Sequence, residues 1–302
     1  MQKPPTNPWR VITSPFRLIV DILAYPFRLF RRFRDFLSSE PEEHPLGDVL
    51  AGVVTDAAYR EHVWAEIDAL RKHLLRALLG LAVGVGISFA FTRQIVDFLA
   101  GPAGGLQAMR AIEVTESVGV FMRVALLTGI AISLPYIAFE LWAFAAPGLR
   151  PRERKFGLLG IPFATLLFVS GGLFTYFILL PTALPFLLNF MGIEAQLRPQ
   201  SYFSFVTGLM FWIGITFEFP LLIYVLTAMG LIKPQALARQ WRLAIVIIAI
   251  LSAAITPTVD PVSMSLVMAP MSLLYFLSIG LSFIAFAGRE RARPEIASQE
   301  GK

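Results

Sequence analysis

The sequence predicts an all-α integral membrane protein. Six transmembrane helices form a kinked, cupped bundle, and an N-terminal amphipathic helix lies at the membrane interface. Three observations lead there. The 302-residue chain is 56% hydrophobic and 16% charged, against about 45–50% and about 25% in an ordinary soluble domain. It carries 26 Phe, 7 Tyr and 5 Trp, more apolar surface than a soluble fold of this size covers. Apolar runs close to the ~20 residues that cross a ~30 Å hydrocarbon core recur from Leu74 onward. The chain has no cysteine, which removes disulfides, thiolate catalysis and Cys-ligated clusters. Its three histidines, His44, His62 and His73, all lie ahead of or at the start of the first apolar run. That placement speaks against a membrane-embedded haem or His-ligated metal, and no cofactor is expected.

Residues 1–60 form an extension without an apolar run long enough to span, and without the features of a cleaved secretory leader. Ser14-Pro15-Phe16-Arg17-Leu18 recurs as Tyr25-Pro26-Phe27-Arg28-Leu29, eleven residues or about three helical turns later. Phe16, Ile19, Leu23, Phe27, Phe30, Phe33 and Leu37 keep helical spacing, with Arg28, Arg31, Arg32 and Arg34 between them. A basic, aromatic stripe of this kind suits lipid headgroups rather than nucleic acid. Ser38 to Gly47 reads as a polar linker.

The membrane domain covers 61–288, and 289–302 is a tail. The first span runs from Leu74 to Phe91, with a continuation to Leu99. The second is Val118–Ala146. The third starts at Phe156, ends near Leu180 and exits at Pro181 and Pro185. The fourth is Tyr202–Met229, interrupted by Glu218 and Pro220. Leu243–Thr256 and Met264–Ala287 follow, divided by the turn Pro257-Thr258-Val259-Asp260-Pro261. The fifth is short, about 21 Å at 1.5 Å per residue, so local bilayer thinning is expected there. Pro135, Pro162, Pro220 and Pro270 interrupt apolar runs and favour kinks. Gly80, Gly84 and Gly86 in the first span read as a close-packing face.

Charge decides orientation. Of 26 Lys and Arg residues, only Arg93, Arg110, Arg123 and Arg198 fall on the face opposite the termini. The positive-inside rule therefore places both termini in the cytoplasm. Glu218 stands at membrane depth, where an ionisable group is costly and a functional candidate by default. Glu140 lies near the cytoplasmic end of the second span, where polar packing between helices is its expected role. No nucleotide loop, metalloprotease motif or nucleophile elbow occurs, so no enzyme activity is expected.

From about His62 to Phe286 the chain resembles the TatC subunit of the twin-arginine protein translocase. The motifs run in order: Ala69-Leu70-Arg71-Lys72-His73-Leu74-Leu75; Thr115-Glu116 followed by Phe121-Met122-Arg123-Val124-Ala125; and Leu134-Pro135-Tyr136 through Glu140-Leu141-Trp142-Ala143-Phe144 to Ala146-Pro147-Gly148-Leu149 and Arg152-Glu153-Arg154-Lys155. Gly172, Phe174, Tyr176-Phe177 and Pro181 come next, then Tyr202, Ser204-Phe205, Gly214, Phe217-Glu218 and Pro220, and finally Thr256-Pro257, Asp260-Pro261 and Ala269-Pro270. There are departures. Ala69 stands where the family's first signature has glutamate, Glu66 where it has histidine, Arg123 where it usually has lysine, and Phe276 where a glutamate is often found. The extension before residue 60 is not a general family feature.

The resemblance implies a receptor for Arg-Arg signal peptides of folded cargo. It also implies assembly with single-span partners of the TatA and TatB type into a homo- or hetero-oligomer, and export driven by the proton-motive force. It points to Glu153, Arg71, Glu66 and Asp68 for signal-peptide binding, with Glu66 or Asp68 as the second carboxylate in place of the one missing at Ala69. A carboxylate holds a guanidinium in a two-bond fork that lysine does not reproduce. Glu218 and Glu140 are the candidates for an intramembrane partner site. Pro102, Pro135, Pro147, Pro220, Pro257 and Asp260 are structural positions at loops and kinks. The alternative is a small proton-coupled secondary transporter using Glu218 and Glu140; an intramembrane enzyme lacks a recognisable catalytic set.

Overall fold

Where water is absent, a helix satisfies its own backbone groups, so the apolar runs become long helices. The computed structural model describes residues 57–148, 151–189, 196–256 and 261–297, the side chains at 57–63, 65, 148, 151–153, 156 and 288–297 excepted. The expected helix at 16–37, the turn residues Pro257 and Asp260, and the end of the tail lie outside the described residues. Helices α1 (Ala57–Ser88), α2 (Thr92–Ala100), α3 (Glu116–Ala145), α4 (Pro151–Phe174), α5 (Leu180–Leu188), α6 (Pro199–Ala228), α7 (Pro234–Arg239), α8 (Trp241–Ile255) and α9 (Pro261–Ala297) follow in chain order. No strand occurs among the described residues.

Four helical stretches, Glu116–Ala145, Gly157–Leu188, Pro199–Ala228 and Pro261–Ala287, are long and apolar enough to cross a bilayer. The pair Glu66–Ser88 and Thr92–Ala103 qualifies jointly but is bent by 74°. Helix α8 has 15 residues, about 22 Å, short of a full crossing. Its shortness matches the sequence expectation.

Two expectations need correction. The first span does not continue straight to Leu99. At 88–91 the chain tightens, with Ala90 and Phe91 N–H donating to the carbonyls of Ile87 and Ser88, and α2 leaves at the 74° bend. Buried hydroxyls make the bend tolerable in an apolar setting. Ser88 Oγ donates to Ala125 O at 2.7 Å, and Thr92 Oγ1 to Ser88 O at 2.8 Å. The third span does not end at Pro181 either. A wide π turn, Thr175–Leu179, intervenes, and the chain stays helical to Leu188. Pro181 falls in the first turn of the renewed helix α5, directly after the π turn, and the chain stays helical through it. Pro135 and Pro220 likewise sit inside unbroken helices.

Helix α1 packs on α3, α3 on α4 and α6, α4 on α6, and α6 and α8 on α9. Glycines allow the two closest crossings. A Cβ at Gly84 would meet Gly129 O at 2.8 Å, between α1 and α3. One at Gly171 would meet Gly214 Cα at 2.9 Å, between α4 and α6. Gly80 lies under the Tyr136 ring, whereas Gly86 faces open space and takes no part. The core gathers Leu99, Val124, Leu180, Phe203, Val206 and Ile213 around the start of α6. Two ends of the bundle result. One, the Arg154 face, holds the end of α3 and the start of α4. The other, the Arg198 face, holds the start of α3 and of α6.

Candidate functional site

The Arg154 face is built at a helix terminus. Helix α3 ends at Ala145, a single tight turn covers Ala146–Gly148, and Pro151 opens α4. The last carbonyls of a helix lack partners and carry the negative end of its dipole. Arg154, 2% exposed, answers both needs. Its Nε donates to Ala146 O at 2.6 Å and its Nη2 to Pro147 O at 3.0 Å. The indole Nε1 of Trp142 donates back to Arg154 O at 3.2 Å. Gly157 makes room for the ring, since a Cβ there would come within 2.7 Å of Nε1. Glu153, the principal candidate, stands in the first turn of α4, next to this clamp; its side chain lies outside the described residues.

Helix α1 brings the remaining candidates to the same end. Glu66, Asp68 and Arg71 are exposed. One turn past Ala69, His73 Nδ1 lies 2.6 Å from Glu140 Oε2. Glu140 is 5% exposed. It therefore ties α1 to α3, and it stands deeper than Glu66 and Asp68, which are five to seven residues earlier on α1. Pro147 lends its carbonyl to the clamp. Pro135 is exposed and lines a shallow apolar groove with Pro162 between α3 and α4.

Glu218 is half-buried on α6, one turn beyond Gly214. Its Oε1 is enclosed without a hydrogen-bond partner among the described residues. The Gly171–Gly214 crossing lets Phe168 of α4 lie over Gly214 beside it. Pro220 is buried two residues on.

The Arg198 face is closed by a pair that the sequence reading did not single out. The Glu116 side chain is fully buried. Its Oε1 accepts the N–H groups of Ile112 and Glu113 at 3.2 Å each, and Arg198 Nη2 at 2.7 Å. Arg198 also reaches exposed Glu113 at 3.3 Å. The Glu116 carboxylate raises the affinity of the Arg198 guanidinium for its proton. Around this pair, Arg110 N–H donates to Leu197 O, Tyr202 OH to Leu99 O at 2.7 Å, and Arg123 to Ser204. Pro102 sits in the short turn Gly101–Ala103 of the same face. The scarcity of basic residues on this face was the signal that could have drawn attention to Arg198. Among the described residues no three His, Asp or Glu side chains gather to hold a metal ion.

Residues 65–270 match the family described as Sec-independent protein translocase protein (TatC). The Sec-independent protein translocase protein TatC of Deinococcus radiodurans is 35% identical over 239 residues, covering 76% of this chain and 88% of its own length. TatCd of Bacillus subtilis is 33% identical over 239 residues, with 78% and 97% covered. A crystal structure of the twin arginine translocase receptor TatC superimposes with a TM-score of 0.65 at 33% identity, covering 73% of this chain and 99% of that one.

Proposed function

Because this chain belongs to the TatC family of Sec-independent protein translocases, we propose that it is the receptor subunit of a twin-arginine translocation system. In this reading it crosses the cytoplasmic membrane six times with both termini inside, and the Arg154 face binds the Arg-Arg pair of a folded cargo's signal peptide through its carboxylates. It assembles with single-span partners of the TatA and TatB type, for which Glu218 is the contact at membrane depth. The extension 1–60 adds interfacial anchoring. What supports the reading is that α1, which carries exposed Glu66, Asp68 and Arg71, meets through His73 the last two turns of α3, and that α3 leads into the α4 first turn, which bears Glu153. A carboxylate pair on such a face can fork a guanidinium pair.

The test is binding of a fluorescent Arg-Arg signal peptide, and its Lys-Lys counterpart, to the full chain in nanodiscs. The expected result is a preference for the arginine pair and an about hundredfold weaker affinity in Glu153→Ala, the scale of losing hydrogen bonds to a charged group. Equal binding of both peptides, with or without a single-span partner present, would remove the receptor reading.

A further inference from the structure

We propose that Arg154 and Trp142 are positioning residues that set the discrimination between arginine and lysine, by fixing the helix turn on which Glu153 stands. The inference rests on the receptor reading above and adds to it the source of the specificity. A carboxylate distinguishes guanidinium from ammonium through orientation. The fork needs both oxygens presented in one plane, whereas an ammonium is a point charge that accepts almost any approach. Discrimination therefore depends on how rigidly the carboxylate's backbone is held.

Here contacts on both sides of the connection tie the end of α3 to the first turn of α4. Arg154 is 2% exposed and always charged, so its burial requires the Ala146 and Pro147 carbonyls that it binds at 2.6 and 3.0 Å. Those carbonyls belong to the turn that follows α3. The Trp142 indole, one turn before the end of α3, closes the ring of contacts through Arg154 O at 3.2 Å. Gly157 leaves the room in which the indole lies. The first turn of α4 thus moves with the end of α3 rather than as a free loop. Lysine at 154 would bind one carbonyl where arginine binds two.

The experiment compares Arg-Arg and Lys-Lys peptides on the full chain in nanodiscs for wild type, Arg154→Lys, Trp142→Phe and Glu153→Gln, with hydrogen exchange followed at 151–155. Arg154→Lys is expected to weaken Arg-Arg binding about tenfold, leave Lys-Lys binding unchanged and speed exchange in the first turn of α4. Trp142→Phe keeps an aromatic ring but loses the five-membered ring with its N–H donor, and its expected effect on the ratio is about threefold. It carries the test if Arg154→Lys does not fold. A general loss of structure would weaken both peptides alike, and an equal fall for both overturns the proposal. An unchanged ratio in a folded variant does the same. If Glu153→Gln collapses the ratio while the clamp variants do not, the clamp is wrong and the receptor reading stands. If Glu153→Gln leaves the ratio untouched, both fall.

Discussion

The two faces of the bundle solve the same problem with opposite signs. Each must fasten a connection to helix termini, and each buries one charged side chain to do it. At the Arg198 face the buried group is an acid, Glu116, which gathers the N–H groups of Ile112 and Glu113 at the start of α3 and is neutralised by Arg198. At the Arg154 face the buried group is a base, which gathers the carbonyls at the end of α3. Each sign complements the end of α3 that it meets. The difference lies in what remains. The first face pairs its acid with its base internally, while the second leaves Glu66 and Asp68 exposed on α1. The first face thus spends its charges on the fold, and the receptor proposal assigns the exposed acids of the second to the cationic segment of a signal peptide.

Substitutions can break this contrast. The largest stability effect is expected for Arg198→Ala, which strands the Glu116 carboxylate in a buried site. The melting temperature in detergent should fall by on the order of 10 °C, with Arg-Arg peptide binding retained in the folded fraction. A comparable fall in peptide affinity would mean that the two faces are not separate in role. Next comes His73→Ala, which leaves the buried Glu140 carboxylate short of one partner and should cost about 1–3 kcal/mol by chemical denaturation. Tyr202→Phe removes one hydrogen bond to Leu99 O and should cost about 1 kcal/mol.

The smallest change is expected for Glu113→Ala, since that carboxylate is exposed and a surface ion pair contributes little; the melting temperature should not move measurably. Salt sharpens the same contrast. Raising ionic strength from about 0.05 to about 0.5 M should weaken Arg-Arg peptide binding at the exposed face. The difference in melting temperature between wild type and Arg198→Ala should barely change, because buried pairs are screened less. Equal salt sensitivity in both measurements would contradict the assignment of open and closed faces.

Much of this was legible in one dimension. The apolar runs located α3, α6 and the apolar part of α9, 261–287, to within a few residues, and the 14-residue run at 243–256 foretold the short α8. The motifs around Glu140, Trp142 and Glu153 lie at the face to which the receptor proposal assigns signal binding. The readings that failed did so at breaks. Pro181 looked like an exit because proline ends helices in general, but the π turn before it places it at a fresh helix start. The bend at 88–91 was invisible because the apolar pattern runs through it; it depends on Ser88 reaching Ala125 O, a carbonyl 37 residues away.

Hydropathy and helix period are local properties, so the sequence by itself determined the all-helical membrane class, the positions of most apolar helices and the order of the motifs. Pairings between helices depend on the rotation and depth of each helix against its neighbour, which no local pattern encodes. Only the tertiary structure decided that Gly84 meets α3 while Gly86 faces open space. It also decided that Glu140 answers to His73, 67 residues away, and that Glu116 answers to Arg198, 82 residues away. The same holds for Arg154. As a sequence it is one of several basic residues beside Glu153. Buried between the end of α3 and the start of α4, it becomes the residue that joins them, because a charge taken out of water must find its partners wherever the packing has put them.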